Sequence, residues 1–312
     1  MTRVLGWVLL MLAPLAASGF ETVAVNERVY ALVGDLGQRS PANLGHNITS
    51  GFVIGDAGVA VIDSGGSRAG AEAIHKAIRK VTDRPVRWVI STGSQDHRWF
   101  GNEYFSQQGA KLIASQRAVD DMRERVAAQT ESMKNLLGNA FAGTHPMFPT
   151  GVVSERTQLH IGGVSLELIP TAGAHTPGEM LVWLPNEQVL FTGDTVYVDR
   201  LLGILRVSAP LDWIETLEYI RDVLRPRVVI PGHGPVTDVD HAMRDTYRYL
   251  VTLRDRVQAR IDAGAFDPVE ASEGLDQSEF SYLRNWDDLP FRSANARRMA
   301  ETLFAREAAD PP

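Results

Sequence analysis

The sequence predicts an α/β protein built as a layered sandwich. From Phe20 to about Val236, short apolar segments alternate with stretches of helical period, and strand-like segments occur in both halves of that range. That alternation argues for one layered sheet structure rather than separate α and β domains. At 312 residues, 44% of them hydrophobic and 22% charged, the chain is long and apolar enough to bury a sizeable core.

Taken in order, residues 1–19 read as an export signal. Arg3 supplies the positive start, Val4 to Leu15 the apolar stretch, and Ala17-Ser18-Gly19 the small residues before a cleavage point. The apolar run is short for a membrane span. A periplasmic or secreted protein is therefore expected, with no stable membrane insertion once the signal is removed. Val29 to Val33 is a strand. Gly51 to Ile54 and Val59 to Ile62 flank Gly55-Asp56-Ala57-Gly58, a hairpin pattern that ends at Asp63-Ser64-Gly65-Gly66. Arg68 to Val81 carries Ile74, Ala77, Ile78 and Val81 at helical spacing. Val86 to Ile90 is a strand running into Ser91-Thr92-Gly93-Ser94-Gln95-Asp96-His97. A helix near Asn102 to Gln108, a strand Lys111 to Ala114 and a long helix Ser115 to Leu137 follow.

The second half is richer in strands: Leu159 and Ile161, Val164 to Ile169, Met180 to Leu184, Val189 to Thr192 and Val228 to Ile230. Trp213 to Val223 and Asp238 to Ala263 read as helices. Residues 20–263 thus form the main domain, and 264–312 a loop-rich helical extension packed on it.

Composition removes several functions. The net charge is −7 with no long basic run, so nucleic-acid binding is not expected, and a small molecule is the expected substrate. There is no cysteine, which excludes disulfides, thiolate zinc sites and Cys nucleophiles. A metal here must be held by His, Asp, Glu or water. Of the eight histidines, His97, His175 and His233 each lie in a polar turn just after an apolar strand, as does Asp194. Strand ends of a layered sheet converge on one edge, where loops build sites. Imidazole and carboxylate without thiolate suit zinc, iron or manganese. Asp63 is expected to brace the turn after its strand, and His75 to pack. His46, His145, Arg98, Trp99, Tyr197 and Arg200 are candidates for lining a cleft, while His160 and His241 look incidental.

Asp96-His97 followed by Gly101-Asn102, then His175-Thr176-Pro177-Gly178, Thr192-Gly193-Asp194 and Pro231-Gly232-His233-Gly234, resemble in order the motifs of the metallo-β-lactamase superfamily. Val61-Ile62-Asp63-Ser64-Gly65 resembles its early strand and turn, and the likeness covers about residues 25–240. It implies a four-layer αββα sandwich with the site at one edge. The family usually carries His-x-His-x-Asp-His. Here both leading histidines are missing: their positions hold Thr92 and Ser94, or Gly93 and Gln95 if the register slips by one.

The resemblance implies that Asp96, His97 and His233 match ligands of a second metal and Asp194 a bridging carboxylate. His175 matches the remaining ligand of a depleted first site. The expected site therefore holds one ion, zinc foremost with iron or manganese as alternatives, on Asp96, His97, Asp194 and His233. Asp96 and His175 carry the catalytic roles, His175 as proton donor or oxyanion partner. The implied reaction is hydrolysis of an ester, thioester or amide-type bond by a water whose pKa the metal lowers to roughly 7. Two further readings stand beside it: a non-catalytic periplasmic binding or accessory protein with a degenerate metal site, and an iron-dependent enzyme of redox or sulfur chemistry.

Overall fold

The computed structural model describes residues 19–287 and 291–309. The predicted export signal lies outside the described residues except for Gly19. The first sheet contains β1 (Phe20–Ala24), β2 (Val29–Gly34), β3 (Thr49–Gly55), β4 (Gly58–Ile62), β5 (Val86–Ile90), β6 (Lys111–Ser115) and β7 (Gly151–Val153), hydrogen-bonded in that order. Strands β1 to β4 are antiparallel, and β4 to β7 run parallel. The parallel half is joined by helices: α1 (Arg68–Val81), the single turn α2 (Asp96–Trp99), α3 (Asn102–Gln107) and α4 (Gln116–Leu137).

The second sheet has the order β12-β11-β10-β9-β8, from β8 (Thr157–His160), β9 (Ser165–Pro170), β10 (Met180–Leu184), β11 (Val189–Phe191) and β12 (Val228–Ile230). Between β11 and β12 lies α5 (Pro210–Tyr219). After β12 come α6 (Val239–Ala242), α7 (Arg248–Asp262), α8 (Pro268–Ser272) and α9 (Phe291–Ala309).

Side-chain alternation along the strands assembles these parts into layers. In β4, Ala60 and Ile62 face the second sheet, while Val59 and Val61 face α1 and α3. In β10, Met180, Val182 and Leu184 face the first sheet, while Leu181 and Trp183 meet Trp213 of α5, Leu250 of α7 and Met299 of α9. Both faces of each sheet are covered, giving a four-layer αββα sandwich. Strands buried on both faces read as continuous apolar runs, which is why they are legible in sequence.

Some elements differ from expectation. Strand β1 is an edge strand with only Phe20 buried, so it lacks a core-facing pattern. Strand β7 has three residues and one buried side chain. The helix expected over Asp238 to Ala263 contains a π-helical stretch at Met243–Tyr247 between α6 and α7. Among the described residues, no helix is long and apolar enough to cross a membrane.

Candidate metal centre

The site sits where the loops after β5, β9, β11 and β12 meet, at one edge of the sandwich. The loops after β5, β11 and β12 leave strands whose last residues are buried, so their first polar side chains have little freedom to turn away. Asp63, directly after β4, adopts a left-handed backbone (φ 65°). Its carboxylate accepts from Thr92 N (2.7 Å) and Thr92 Oγ1 (2.8 Å), tying the end of β4 to the loop after β5. That is the bracing role expected of it.

Three of the five expected site residues come together. The ligand atoms of His97, Asp194 and His233 all lie within 4.8 Å of one another, and all three residues are buried. Asp194 is the hub: His97 Nε2 is 3.0 Å from its Oδ2, and His233 Nε2 is 3.0 Å from its Oδ1. The other two lie outside this group. Asp96 Oδ1 accepts from Arg39 Nη1 at 2.7 Å and stands 3.7 Å from His97 Nδ1. His175 donates from Nδ1 to the Gly203 carbonyl at 2.8 Å, and its ring lies against Tyr197 and Trp213.

The positions where two further histidines would stand are committed elsewhere. Thr92 is bound to Asp63, and Ser94 Oγ donates to Asp121 at 2.5 Å. Gly93 is packed so closely that an added Cβ would lie 2.7 Å from Glu179 Oε2, and Gln95 Oε1 is 3.5 Å from Arg125 Nη1. In either register, no imidazole or carboxylate stands there.

Arginines decide the electrostatics. Arg98 is fully buried, and its guanidinium reaches Asp194 Oδ1 (2.5 Å), Asp194 Oδ2 (3.2 Å) and Asp63 Oδ2 (2.8 Å). Arg98 therefore faces the site's hub rather than a substrate cleft, and Trp99 packs inside, donating to Ser94 O and stacking on Phe148. Burial opposes the charge on Asp194, but Arg98 and His97 outweigh it, with His233 adding to them, and hold the carboxyl well below the usual range. Burial keeps His97 and His175 neutral and lowers His233 to about 3, where Arg200 adds to the effect.

Arg39, from the loop between β2 and β3, donates to His97 Nδ1 at 2.9 Å. A guanidinium only donates, so this contact selects the His97 tautomer with its proton on Nε2, pointing at Asp194. His233 Nδ1 is 2.8 Å from the Asn47 carbonyl and 3.0 Å from Arg200 Nη1. The two contacts ask for opposite tautomers: donation to the Asn47 carbonyl leaves Nε2 as a bare ligand nitrogen, whereas acceptance from Arg200 puts the proton on Nε2, facing Asp194. Tyr197 stacks on this imidazole with ring centroids 4.6 Å apart.

Sequence reasoning missed Arg39 and Glu179. Arg39 carries no motif. Glu179, at the start of an apolar strand, was a visible anomaly; it is buried, and its Oε1 accepts from Thr176 Oγ1 at 2.5 Å. Burial and the nearby Asp194 charge push its carboxyl well above the ordinary range. His46 does not line a cleft but is buried with its ring 4.6 Å from Phe20, and His145 is exposed beside Glu103. His75 pairs with Tyr104. His241, read as incidental, joins Asp199 and Asp245 in a second cluster, which Arg244 and Tyr282 already close.

The metallo-beta-lactamase superfamily model matches residues 44–236, spanning every one of these loops. The chain belongs to the metallo-β-lactamase superfamily. It is 29% identical over 112 residues to a beta-lactamase-like protein 2 homolog of Caenorhabditis elegans, covering 33% of this chain and 36% of that protein. Against the 2,4-dinitroanisole O-demethylase subunit alpha of Nocardioides sp. (strain JS1661) it is 25% identical over 182 residues, covering 57% and 50%. Against the metallo-beta-lactamase type 2 of Bacteroides fragilis it is 24% identical over 168 residues, covering 49% and 59%. The matches thus span between about a third and three-fifths of each relative's length. Among solved structures, a metallo-beta-lactamase from Pontibacter korlensis superposes with a TM-score of 0.60 at 20% identity, covering 74% of this chain and 99% of that one. The sec-alkylsulfatase Pisa1 from Pseudomonas sp. superposes with a TM-score of 0.69 at 16% identity, covering 94% of this chain and 51% of its own. These likenesses share the fold.

Membership of the metallo-β-lactamase superfamily supports a metal-dependent, hydrolase-like function and implies a divalent cation. The His97, Asp194 and His233 donor set, two neutral imidazoles and a carboxylate, buried and convergent, fits one once the proton on His97 Nε2 is displaced.

Proposed function

We propose that this superfamily member is a hydrolase with a single metal ion, zinc foremost, held by His97, Asp194 and His233. The observation that carries this is the pair of 3.0 Å contacts placing both imidazole Nε2 atoms on the two oxygens of one carboxylate. When bound, the ion supplies Lewis acidity that acidifies a water and polarises the carbonyl or ester oxygen of an ester, thioester or amide-type substrate. Asn47 orients His233 through Nδ1, and Asp194 holds the two imidazoles in register. His175, anchored through Nδ1 by Gly203, offers Nε2 for proton transfer. Asp96 retains a role through Arg39: by pairing with that guanidinium it governs how firmly Arg39 sits against His97. Small-molecule substrates and export to a periplasmic or extracellular space belong to the same reading.

Metal analysis of the purified protein, together with assays on ester, thioester and lactam reporters, tests it. About one zinc per chain with turnover of a reporter supports the proposal, and iron with a visible absorption band points instead to the redox alternative. A second reading, a binding protein that no longer turns over, is favoured by Arg39, whose contact keeps a proton on His97 Nε2. Metal-free protein, inert toward every reporter, would establish that reading instead.

A further inference from the structure

Arg98 is coordinated as an ion would be. A guanidinium has five N–H donors. Here Nε donates to Asp194 Oδ2 (3.2 Å). Nη1 donates to Asp63 Oδ2 (2.8 Å) and the Thr49 carbonyl (3.3 Å), and Nη2 to Asp194 Oδ1 (2.5 Å) and the Gly232 carbonyl (2.9 Å). Every donor is used, every acceptor is an oxygen, two of the partner side chains are carboxylates, and the residue is fully buried. Gly232 lets the chain pass closely here, since an added Cβ would stand 2.2 Å from the Gly193 carbonyl oxygen and 2.6 Å from Arg98 Nη2. The fork covers one side of Asp194, while His97 and His233 approach its oxygens separately. A carboxylate that bridges two ions must offer each a lone pair, and here Arg98 already draws on both oxygens.

We infer that Arg98 is a built-in cation that takes the place of a second metal: it neutralises Asp194 from beneath and limits the His97, Asp194 and His233 group to one ion. It is a positioning residue, acting through Asp194. Its effect on cation binding has a definite sign. A residue that only oriented Asp194 would, when lost, weaken metal binding. A fixed positive charge beside the site opposes a divalent ion, so its loss must strengthen binding.

The inference rests on the single-ion reading above, and the test separates the two. Wild type, Arg98→Lys, Arg98→Gln and the double variant Asp63→Asn/Arg98→Gln are stripped with chelator and titrated with Zn2+ by calorimetry, with folding followed by circular dichroism. Arg98→Lys, which keeps the charge, should bind one ion with affinity close to wild type. Arg98→Gln should bind at least about tenfold more tightly or take up a second ion. The double variant, which removes the orphaned Asp63 charge, should also bind at least as tightly as wild type. Equal or weaker binding by a folded Arg98→Gln overturns the inference and leaves the single-ion reading standing. If Arg98→Gln is unfolded without metal but folds when Zn2+ is added, one cation has replaced another, and the inference holds. If neither Gln-bearing variant folds with or without Zn2+, it fails. Wild type that binds no ion while Arg98→Gln binds one removes the single-ion reading and upholds Arg98. Absence of binding in both folded proteins ends both.

Discussion

Acid should unfold this protein through its buried imidazoles, and His46 isolates the effect away from the metal group. His46 is fully buried, and burial, set against a long 3.4 Å contact to the Leu32 carbonyl with smaller opposing effects of the Arg98 and Asp35 charges, lowers its pKa from 6.5 to about 4. The unfolded chain titrates near 6.5. Between pH 6.5 and 4 the unfolded state therefore binds more protons, and stability falls as pH falls. The contribution is fully present above pH 6.5. At about 1.4 kcal/mol per pKa unit, roughly 3 kcal/mol is lost by pH 4 and about 2 kcal/mol by pH 5. His46→Phe removes the titration while keeping a ring beside Phe20, 4.6 Å from the imidazole centroid. Any packing cost of the substitution is the same at both pH values and cancels in the comparison. His97, His175 and His233 shift in the same direction but are present in both proteins. Melting temperatures of chelator-treated wild type and His46→Phe, measured at pH 7.5 and pH 5, give the difference of differences. Wild type should lose about 4 °C more than the variant. Parallel curves for the two proteins would show that His46 does not carry the penalty assigned to it.

Three other outcomes follow from the same geometry. Asp194→Asn breaks a buried pair and leaves Arg98 with Asp63 alone, at a cost of about 3–5 kcal/mol, and should abolish zinc retention; full metal content after chromatography would contradict the ligand assignment. Arg39→Met removes the donor that holds the proton on His97 Nε2. Because Arg39 comes from a loop and its side chain is partly exposed, 15%, the fold should survive while Zn2+ affinity rises severalfold, read by competition with a chelating dye. Glu179→Gln is close to isosteric for a carboxyl that burial and Asp194 push toward its neutral form, so stability at pH 7 should change by less than about 1 kcal/mol in urea titrations. A much larger loss would mean that the group is charged in the native protein.

The site's character follows from how its charges are met. Asp194, Asp63 and Asp96 are each paired with a guanidinium, the first two with Arg98 and the third with Arg39. Buried ionised carboxylates require such partners. The same arginines that pair these carboxylates also set how strongly the site attracts an ion.

Much of this protein is determined by local sequence. Strands buried on both faces, such as Val59 to Ile62 and Met180 to Leu184, are continuous apolar runs that only a covered sheet accommodates. The Gly- and Pro-bearing turns around His175, Asp194 and His233 mark the strand ends from which a site is built, and Thr92 and Ser94, or Gly93 and Gln95, stand where the resemblance would place two further histidines. Edge strand β1 escapes the same reasoning because a strand with one buried residue leaves no periodic trace. Which polar groups meet was decided only in three dimensions. Arg98 and Asp194 are 96 positions apart, and Arg39 and Asp96 are 57 apart. Sequence places Asp96 and His97 side by side, yet the turn of α2 sends the first to Arg39 and the second to Asp194. Hydrophobic pattern is a property of neighbours along the chain, whereas the partner of a buried charge is set by the packing of distant loops, and no local residue preference encodes it.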